Sequence, residues 1–500
     1  MTERIRFLLN GRVRDVSDLA PTTTLLEYLR TVEHLTGSKE GCAEGDCGAC
    51  TVVVGELREG RVRYRSANAC ILLLPMLDGL EVITVERLKT LAGGGPHPVQ
   101  QAMVEHHASQ CGFCTPGFVM SLFALYHEDE RGNRHIGNGE PVGAAEIHDA
   151  IAGNLCRCTG YRPILAAARA IASQTRPALP DTSSALTLLQ RDRELAYRVP
   201  SGAFFAPRSL AELSSRLAKY PDATLVAGAT DVGLWVTKQQ RSLPILVHAG
   251  RVDALRRIAS DDAGLMIGAA ATWSEARAAL VALEPGLAEL LSRFASMQIR
   301  NSATVGGNIA NGSPIGDGMP PLIALGARLR LCSNQGEREL ALEDYYLDYG
   351  RQDRRPGEFV ASIFVPRPAP STVFRVWKLS KRFDQDISAL CGAFALDIRA
   401  ARSTPEGDQP AMVRAARIAF GGMAGIPRRA SASEAALTGQ PWTEASLEAA
   451  IAALDQDFTP IGDHRASAEY RRLAGGNLLR RLFVETTRPE VATGVYRHAG

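Results

Sequence analysis

Ten cysteines stand in this chain of 500 residues, and eight crowd its first third, at positions 42, 47, 50, 70, 111, 114, 156 and 158. Cys42, Cys47, Cys50 and Cys70 follow C-x4-C-x2-C with a distant fourth thiol, the spacing of a plant-type [2Fe–2S] loop. Such a loop must wrap two irons without side chains in the way. Gly41, Gly45 and Gly48 in "KEGCAEGDCGAC" permit the wrap and leave backbone N–H groups to point at sulfur. This spacing is not that of a zinc knuckle or ribbon. Cys111-Gly-Phe-Cys114 by itself suits zinc, thiol redox chemistry or a cluster equally. "NLCRCTGY" adds Cys156 and Cys158, one residue apart and strained as a mutual disulfide. The four thiols make a second ligand set, for which zinc is one reading. Beside a plant-type loop in the same chain, a second [2Fe–2S] cluster is the favoured one. Cys332 and Cys391 lie in apolar, strand-like surroundings and read as buried, inert thiols.

Elements must hold those thiols in place. "RIRFLLNGRVRDV" alternates around Asn10-Gly11, which predicts a type I′ hairpin. "TTTLLEYLRTV" predicts a helix, and "TVVVGEL", "RVRYRSANAC" and "EVITVE" predict strands, giving a small mixed domain over 1–87. Helical spacing then takes over through 88–174. "VQQAMVEHHASQ" runs to Cys111, "TPGFVMSLFALYHE" restarts with Thr115 as N-cap and Pro116 at the first helical position, and "AAEIHDAIAGN" and "RPILAAARAIAS" flank the second thiol pair. Two antiparallel helical hairpins with thiols at their turns would bring all four to one end of a bundle.

Residues 175–196 read as an exposed linker. From 197 the pattern is α/β: a helix in "FFAPRSLAELSSRLAKYP", then strands "ATLVAG", "PILVHAG", "GLMIGAA" and "RLRLC". "VPRPAPSTV" breaks this region from a last one, so the divisions are 197–367 and 371–497. No G-x-G-x-x-G opens a helix and no P-loop lysine is present. Two glycine-rich stretches could instead offer backbone N–H groups to phosphate: "LVAGATDVG" at 225–233 and "RNSATVGGNIANGSPIGD" at 300–317. "FGGMAGIP" at 420–427 reads as a turn at a strand end because Pro427 blocks a helix.

The bulk numbers fit a globular chain: 45% hydrophobic, 22% charged and a net charge of +2, without the basic excess of a nucleic-acid binder. No apolar run is long enough to span a bilayer, and "MTERIRFLLNGRVRD" lacks a signal-peptide core, so a cytoplasmic location is expected.

"KEGCAEGDCGACTV", "HPVQQAMVEHHASQCGFCTPGF" and "GNLCRCTGYRPIL" resemble the two iron–sulfur domains of the molybdenum hydroxylase family. The resemblance continues through both glycine-rich stretches to the end of the chain. It implies a multidomain α+β protein: a β-grasp [2Fe–2S] domain, a four-helix-bundle [2Fe–2S] domain, a two-part FAD-binding domain of the vanillyl-alcohol-oxidase type, and an α/β C-terminal domain like that of CO dehydrogenase flavoproteins. It further implies that Leu225, Val226, Ala227, Gly228, Ala229, Thr230, Asp231 and Val232 contact FAD, with Thr304, Asn308, Ala310, Gly316 and Asp317. Phe294, Phe359 and Val360 would flank the ring, and Lys378 in "VWKLSKRFDQDIS" would approach it. Tyr349 and Asp386 are candidates on the NAD side, and Gln110 would face a partner's molybdopterin. No acid, base or nucleophile of this chain would act on the substrate. Departures from the family pattern are Ala229 and Asp231, where Asn and Glu are common, Gly316 in place of a serine, and Gly350 where an arginine often follows Tyr349.

The chain has no room for the family's molybdenum-binding portion, which is therefore expected on a separate large subunit, in an (αβ)2 heterotetramer. Both cluster domains and the flavin on one chain resemble the xanthine dehydrogenase branch. That implies a relay from molybdopterin through both clusters to FAD and NAD+, during oxidation of hypoxanthine or xanthine to urate. The alternative is the same relay serving an aldehyde or a heteroaromatic substrate.

Overall fold

A computed structural model describes residues 3–127, 143–172, 174, 177–404 and 407–494. The expected boundaries at 175 and 497 fall outside them. The chain forms two compact units: Met1–Arg256 with Thr272–Glu275 and Ala295–Gly307, and Arg257–Ala271 with Ala276–Phe294 and Asn308–Gly500.

The first unit opens with strands β1 (Ile5–Leu9) and β2 (Arg12–Val16), joined at Asn10 and Gly11 with φ of 52° and 78°, both left-handed as a type I′ turn requires. Three more strands, β3 (Thr51–Arg58), β4 (Arg61–Asn68) and β5 (Glu81–Ile83), complete a sheet in the order β2-β1-β5-β3-β4. Only β1 and β5 run parallel; the other neighbours are antiparallel. The expected helix after the hairpin is one α turn, Leu25–Glu27, passing into a π turn, Tyr28–Val32, that buries Leu25, Leu26 and Leu29. β5 is shorter than its alternating sequence suggests, because a 3₁₀ turn takes over at Val85–Arg87.

After a single helical turn at Leu88–Leu91 come α1 (Pro98–Glu105), α2 (Thr115–His127), α3 (Ala144–Ile151) and α4 (Arg162–Ala172). α1 stops six residues before Cys111, so the first thiol pair lies in a loop. Their core is Val99, Met103, Phe118, Phe123, Ile147, Ile151, Ile164 and Ile171 with their neighbours. His97, fully buried, caps α1: its Nδ1 accepts the Val99 N–H at 3.3 Å, and its Nε2 lies 3.5 Å from Nε2 of His127. Burial pushes its pKa down to about 4. An unfolded imidazole titrates near 6.5, so folding keeps a neutral ring that the unfolded chain protonates first. Stability is full above pH ~6.5 and falls as pH drops from there toward 4, by on the order of 2 kcal/mol. In His97→Asn the side-chain oxygen can still cap Val99. An unfolding series between pH 7 and 4 should therefore show a shallower slope for that variant; equal slopes would remove His97 as the cause.

The expected linker is a correction. Helix α5 (Ser183–Leu189) buries Leu186 and Leu189 against Leu8 of β1. Thr182 Oγ1 donates to Glu81 at 2.7 Å, Gln190 Nε2 to the Gly79 carbonyl at 2.8 Å, and Arg191 pairs with Asp78 at 2.6 Å. The polar sequence around 180 masks a short apolar face whose partner lies in β1.

A second sheet in this unit contains β6 (Leu195–Val199), β7 (Gly202–Ala206), β8 (Thr224–Val226) and β9 (Ile245–His248) in the order β6-β7-β9-β8. "FFA" thus ends a strand, and the helix begins only after Ser209, whose hydroxyl accepts from the Glu212 N–H. Tyr197, Phe204, Val226 and Leu246 share one core with Ile5, Phe7, Leu29 and Leu73 of the β-grasp domain.

The second unit holds a five-stranded antiparallel sheet built from β10 (Ile258–Ser260), β11 (Gly264–Gly268), β12 (Arg328–Ser333), β13 (Gly336–Ala341) and β14 (Phe359–Pro366). Their order is β10-β11-β14-β12-β13. After the Pro-rich break come β15 (Thr372–Leu379), β16 (Leu390–Arg399), β17 (Met412–Gly421) and β18 (Arg428–Arg429), antiparallel in sequence order. The helix Ala468–Thr487 packs on them through Leu478, Leu479 and Leu482. The turn at 422–427 joins β17 to β18. No helix among the described residues is long and apolar enough to cross a membrane.

Candidate redox centres and flavin segments

The loop before β3 has no regular structure, and its backbone turns inward. Glu44, Asp46 and Cys47 aim their N–H groups at Cys42 Sγ from 3.4, 3.3 and 3.3 Å. A Cβ on Gly41 would stand 2.7 Å from Cys47 Sγ, so glycine leaves the space that sulfur occupies. Cys42 is held far below the usual thiol range, first by its contact with Cys47 and then by Cys70. Cys47 is pushed up by Cys42, and Cys70 by Cys42 and Cys50. These directions share one cause: the four sulfurs face each other closely enough that one holds the charge at its neighbours' expense. Cys50 and Cys70 are buried while Cys42 and Cys47 are half-buried.

The bundle thiols gather as two pairs. Exposed Cys158 is raised by Cys111, also exposed. Cys114 is pushed up to about 12, first by burial and then by Cys156. Burial also acts to raise Cys156, but the Thr159 hydroxyl and N–H, 3.3 and 3.4 Å from its sulfur, outweigh it and lower the thiol. The Cys156 N–H donates to the Tyr161 hydroxyl at 2.8 Å, fixing the bend. Arg157 points outward, and Gln110 is exposed beside Cys111. Among the described residues no three such side chains close on one ion position. Pairs of thiolates suit two bridged irons, each holding two sulfurs. Both sets fit a [2Fe–2S] cluster.

In the first unit, the first glycine-rich stretch leaves β8 into a turn and the helix Val232–Thr237. Ala229 sits buried at φ 60°, a left-handed conformation that Asn adopts more readily than Ala. A Cβ on Gly228 would lie 1.8 Å from the Ser302 carbonyl oxygen, so this turn touches the second stretch backbone to backbone. Thr304 is buried, and its Oγ1 accepts the Gly307 N–H at 3.0 Å at the start of the helix Val305–Asn311. Asp231 is exposed. Both stretches run into the start of a helix, at Val232 and at Val305, where first-turn N–H groups have no intrahelical acceptor, as a pyrophosphate nest needs.

In the second unit, Lys378 Nζ donates to Asp317 Oδ2 at 2.7 Å, and both are buried. Ser388 Oγ donates to the other Asp317 oxygen, and Lys378 also reaches the Arg293 carbonyl at 3.4 Å. Asn308 Oδ1 is buried without a hydrogen-bond partner among the described residues, an acceptor left for something outside the chain. Gly316 lies directly before Asp317, and Ala310 follows Asn308 on the same helix. Phe294 is 7% exposed; Phe359 is 1% exposed in β14, paired across the sheet with Cys332, while Val360 pairs with Leu331. Tyr349 is 73% exposed, next to Gly350 at φ 65°. Asp386 accepts the Arg382 N–H at 2.8 Å. Within each unit taken by itself, the residues suit the part in holding FAD that was expected of them. Sequence reasoning missed Ser388, although it lies inside "SKRFDQDIS", and missed Arg293, whose guanidinium donates to the Lys378 carbonyl at 2.9 Å. Cys332 and Cys391 are buried in strands.

Four family descriptions match the chain in succession. Residues 7–74 match a 2Fe-2S iron-sulfur cluster binding domain, and 84–169 a [2Fe-2S] binding domain. Residues 197–368 match the FAD binding domain in molybdopterin dehydrogenase, and 375–486 the CO dehydrogenase flavoprotein C-terminal domain. Xanthine dehydrogenase of Emericella nidulans is 32% identical over 94% of this chain and 38% of its own length. Xanthine dehydrogenase 2 of Arabidopsis thaliana is 32% identical over 90% of this chain and 37% of its own. The chain thus spans under two fifths of the length of these relatives. Among solved structures, carbon monoxide dehydrogenase from Hydrogenophaga pseudoflava lacking the Mo-pyranopterin moiety is 27% identical, with a TM-score of 0.51 over 56% of this chain and 94% of that one. The reconstituted CO dehydrogenase from Oligotropha carboxidovorans is 28% identical, with a TM-score of 0.50 over 55% and 94%.

Proposed function

Because the chain belongs to the molybdenum hydroxylase family, carrying its two [2Fe–2S] domains and its FAD-binding domain, we propose that it is the electron-transfer part of a xanthine dehydrogenase. Electrons would come from a molybdopterin-bearing partner subunit oxidising hypoxanthine or xanthine to urate, and leave to NAD+. One observation carries the reading: eight thiols gather in two sets of four on the two cluster-type domains of one unit. Bound, the clusters supply one-electron steps and the flavin pairs electrons for a two-electron acceptor.

In this reading Cys42, Cys47, Cys50 and Cys70 hold one cluster, and Cys111, Cys114, Cys156 and Cys158 the other. Cys111, Cys158 and Gln110 are exposed, which supports a role facing the partner, with the bundle set as the intake. The segments 225–232 and 304–310 offer N–H groups to the flavin pyrophosphate. Lys378, held by Asp317, approaches the ring, Phe294, Phe359 and Val360 flank it, and Gly316 contacts FAD beside Asp317. Tyr349 and Asp386 stand for NAD+, and the assembly would be an (αβ)2 heterotetramer.

The purified chain should show flavin and iron–sulfur absorption, with about four irons per flavin. It should also oxidise NADH with an artificial dye. A colourless, zinc-containing chain ends the reading. Dye reduction absent with NADH removes the NAD+ assignment alone. Assaying the co-purifying large subunit with xanthine, an aldehyde and quinoline decides the substrate.

A further inference from the structure

Between the two cysteine loops lies a buried patch of neutral polar groups that no ligand role explains. Gln298 is fully buried on the short helix Met297–Arg300, far along the chain from both loops. Its Nε2 faces three acceptors: Thr51 Oγ1 at 3.3 Å, Ser121 Oγ at 3.0 Å and Asn154 Oδ1 at 3.1 Å. Each belongs to a cluster-type domain. Thr51 follows Cys50 and donates to the Gly48 carbonyl at 2.6 Å. Asn154 stands two residues before Cys156 and donates to that same Gly48 carbonyl at 3.0 Å. Ser121 on α2 donates to Asn154 at 2.6 Å. The Leu155 N–H donates directly to the Cys47 carbonyl at 3.0 Å, so the residue before one thiol is bonded to the other thiol's own backbone.

The packing there admits nothing larger than glycine at three points. A Cβ on Gly48 would meet the Gly153 carbonyl oxygen at 2.1 Å, one on Gly117 the Gly48 oxygen at 2.3 Å, and one on Gly153 the Gln298 Oε1 at 2.2 Å. The two loops therefore touch backbone to backbone, and Gln298 closes the contact from the side. A buried amide replaced by an apolar group leaves its three acceptors without their donor, which frees the loops to shift.

We propose that Gln298 is a positioning residue that locks the two cluster loops in register and so fixes the distance between the two redox centres. The inference rests on the cluster assignment above. It concerns neither ligand set, only the residue that ties them together.

The test uses the full chain with its clusters and their low-temperature electron paramagnetic resonance after reduction. Magnetic coupling between two reduced clusters falls steeply with their separation, so it reads the spacing. Gln298→Leu should keep about four irons and both cluster signals, and lose the splitting between them. Ser121→Ala, which cuts the same network from the bundle side without changing a loop residue, should narrow it. Val119→Ala removes buried packing two residues along the same helix and should leave the splitting as it was. Unchanged splitting in the first two variants at full iron overturns the proposal, as does an equal change in Val119→Ala. If Gln298→Leu does not fold, Ser121→Ala decides. An iron-free parent chain would instead fail the cluster assignment, and this inference with it.

Discussion

Cys158→Ser is expected to reduce the iron content from about four to about two per chain, leaving one [2Fe–2S] signal and full FAD. Cys158 is exposed and pairs with Cys111 at the rim of the bundle, so its loss strips one iron of a sulfur without disturbing a core. The four thiols of the β-grasp domain form a separate set, in which three backbone N–H groups aim at Cys42. Their signal should persist. Electron flow from the molybdenum subunit should stop, while NADH-to-dye activity, which needs only the flavin side, should continue. Metal analysis with resonance spectra checks the first part and paired assays the second. Loss of both signals together would mean that the thiols do not form two independent sets.

Lys378→Met should be the most damaging single change in the second unit. Lys378 and Asp317 are buried and bonded at 2.7 Å, with Ser388 completing the carboxylate. Removing the cation strands a buried charge, which costs ~3–5 kcal/mol. Arg480→Met breaks an exposed pair with Glu448 of the same 2.7 Å length and should cost ~1 kcal/mol or less. The double variant Lys378→Met/Asp317→Asn removes the stranded charge and should recover much of the loss. Unfolding followed by tryptophan fluorescence compares the three, with Trp377 beside the site as reporter. A double variant no more stable than Lys378→Met would refute the account.

The cysteine sets and glycine-rich stretches were legible because their chemistry is written locally, in residue type and spacing. The type I′ hairpin at Asn10-Gly11 and the Pro-rich break before β15 were legible for the same reason. Helix α5 was not: Leu186 and Leu189 become an apolar face only once Leu8 is there to receive them. Gln298 was invisible because its partners lie 144 to 247 residues away, and an uncharged amide in a glycine-poor stretch carries no motif. The role of Gly48 was read only in part. Spacing suggested room for a cluster, whereas the structure also shows room for Gly153 and Asn154 of the neighbouring loop. The strain at Ala229 depends on a backbone angle that no composition reveals.

The core shared by Tyr197, Phe204, Val226 and Leu246 with the β-grasp strands has a bearing on how the chain can be divided. A cut in the 175–196 segment would expose apolar surface on both products, and neither piece would keep its full interior. The β-grasp domain and the first flavin stretch should accordingly melt as one cooperative block. Damage to the cluster loop would then travel into the turn at Gly228 through folding itself, and a chain stripped of iron would be a poorer flavin binder.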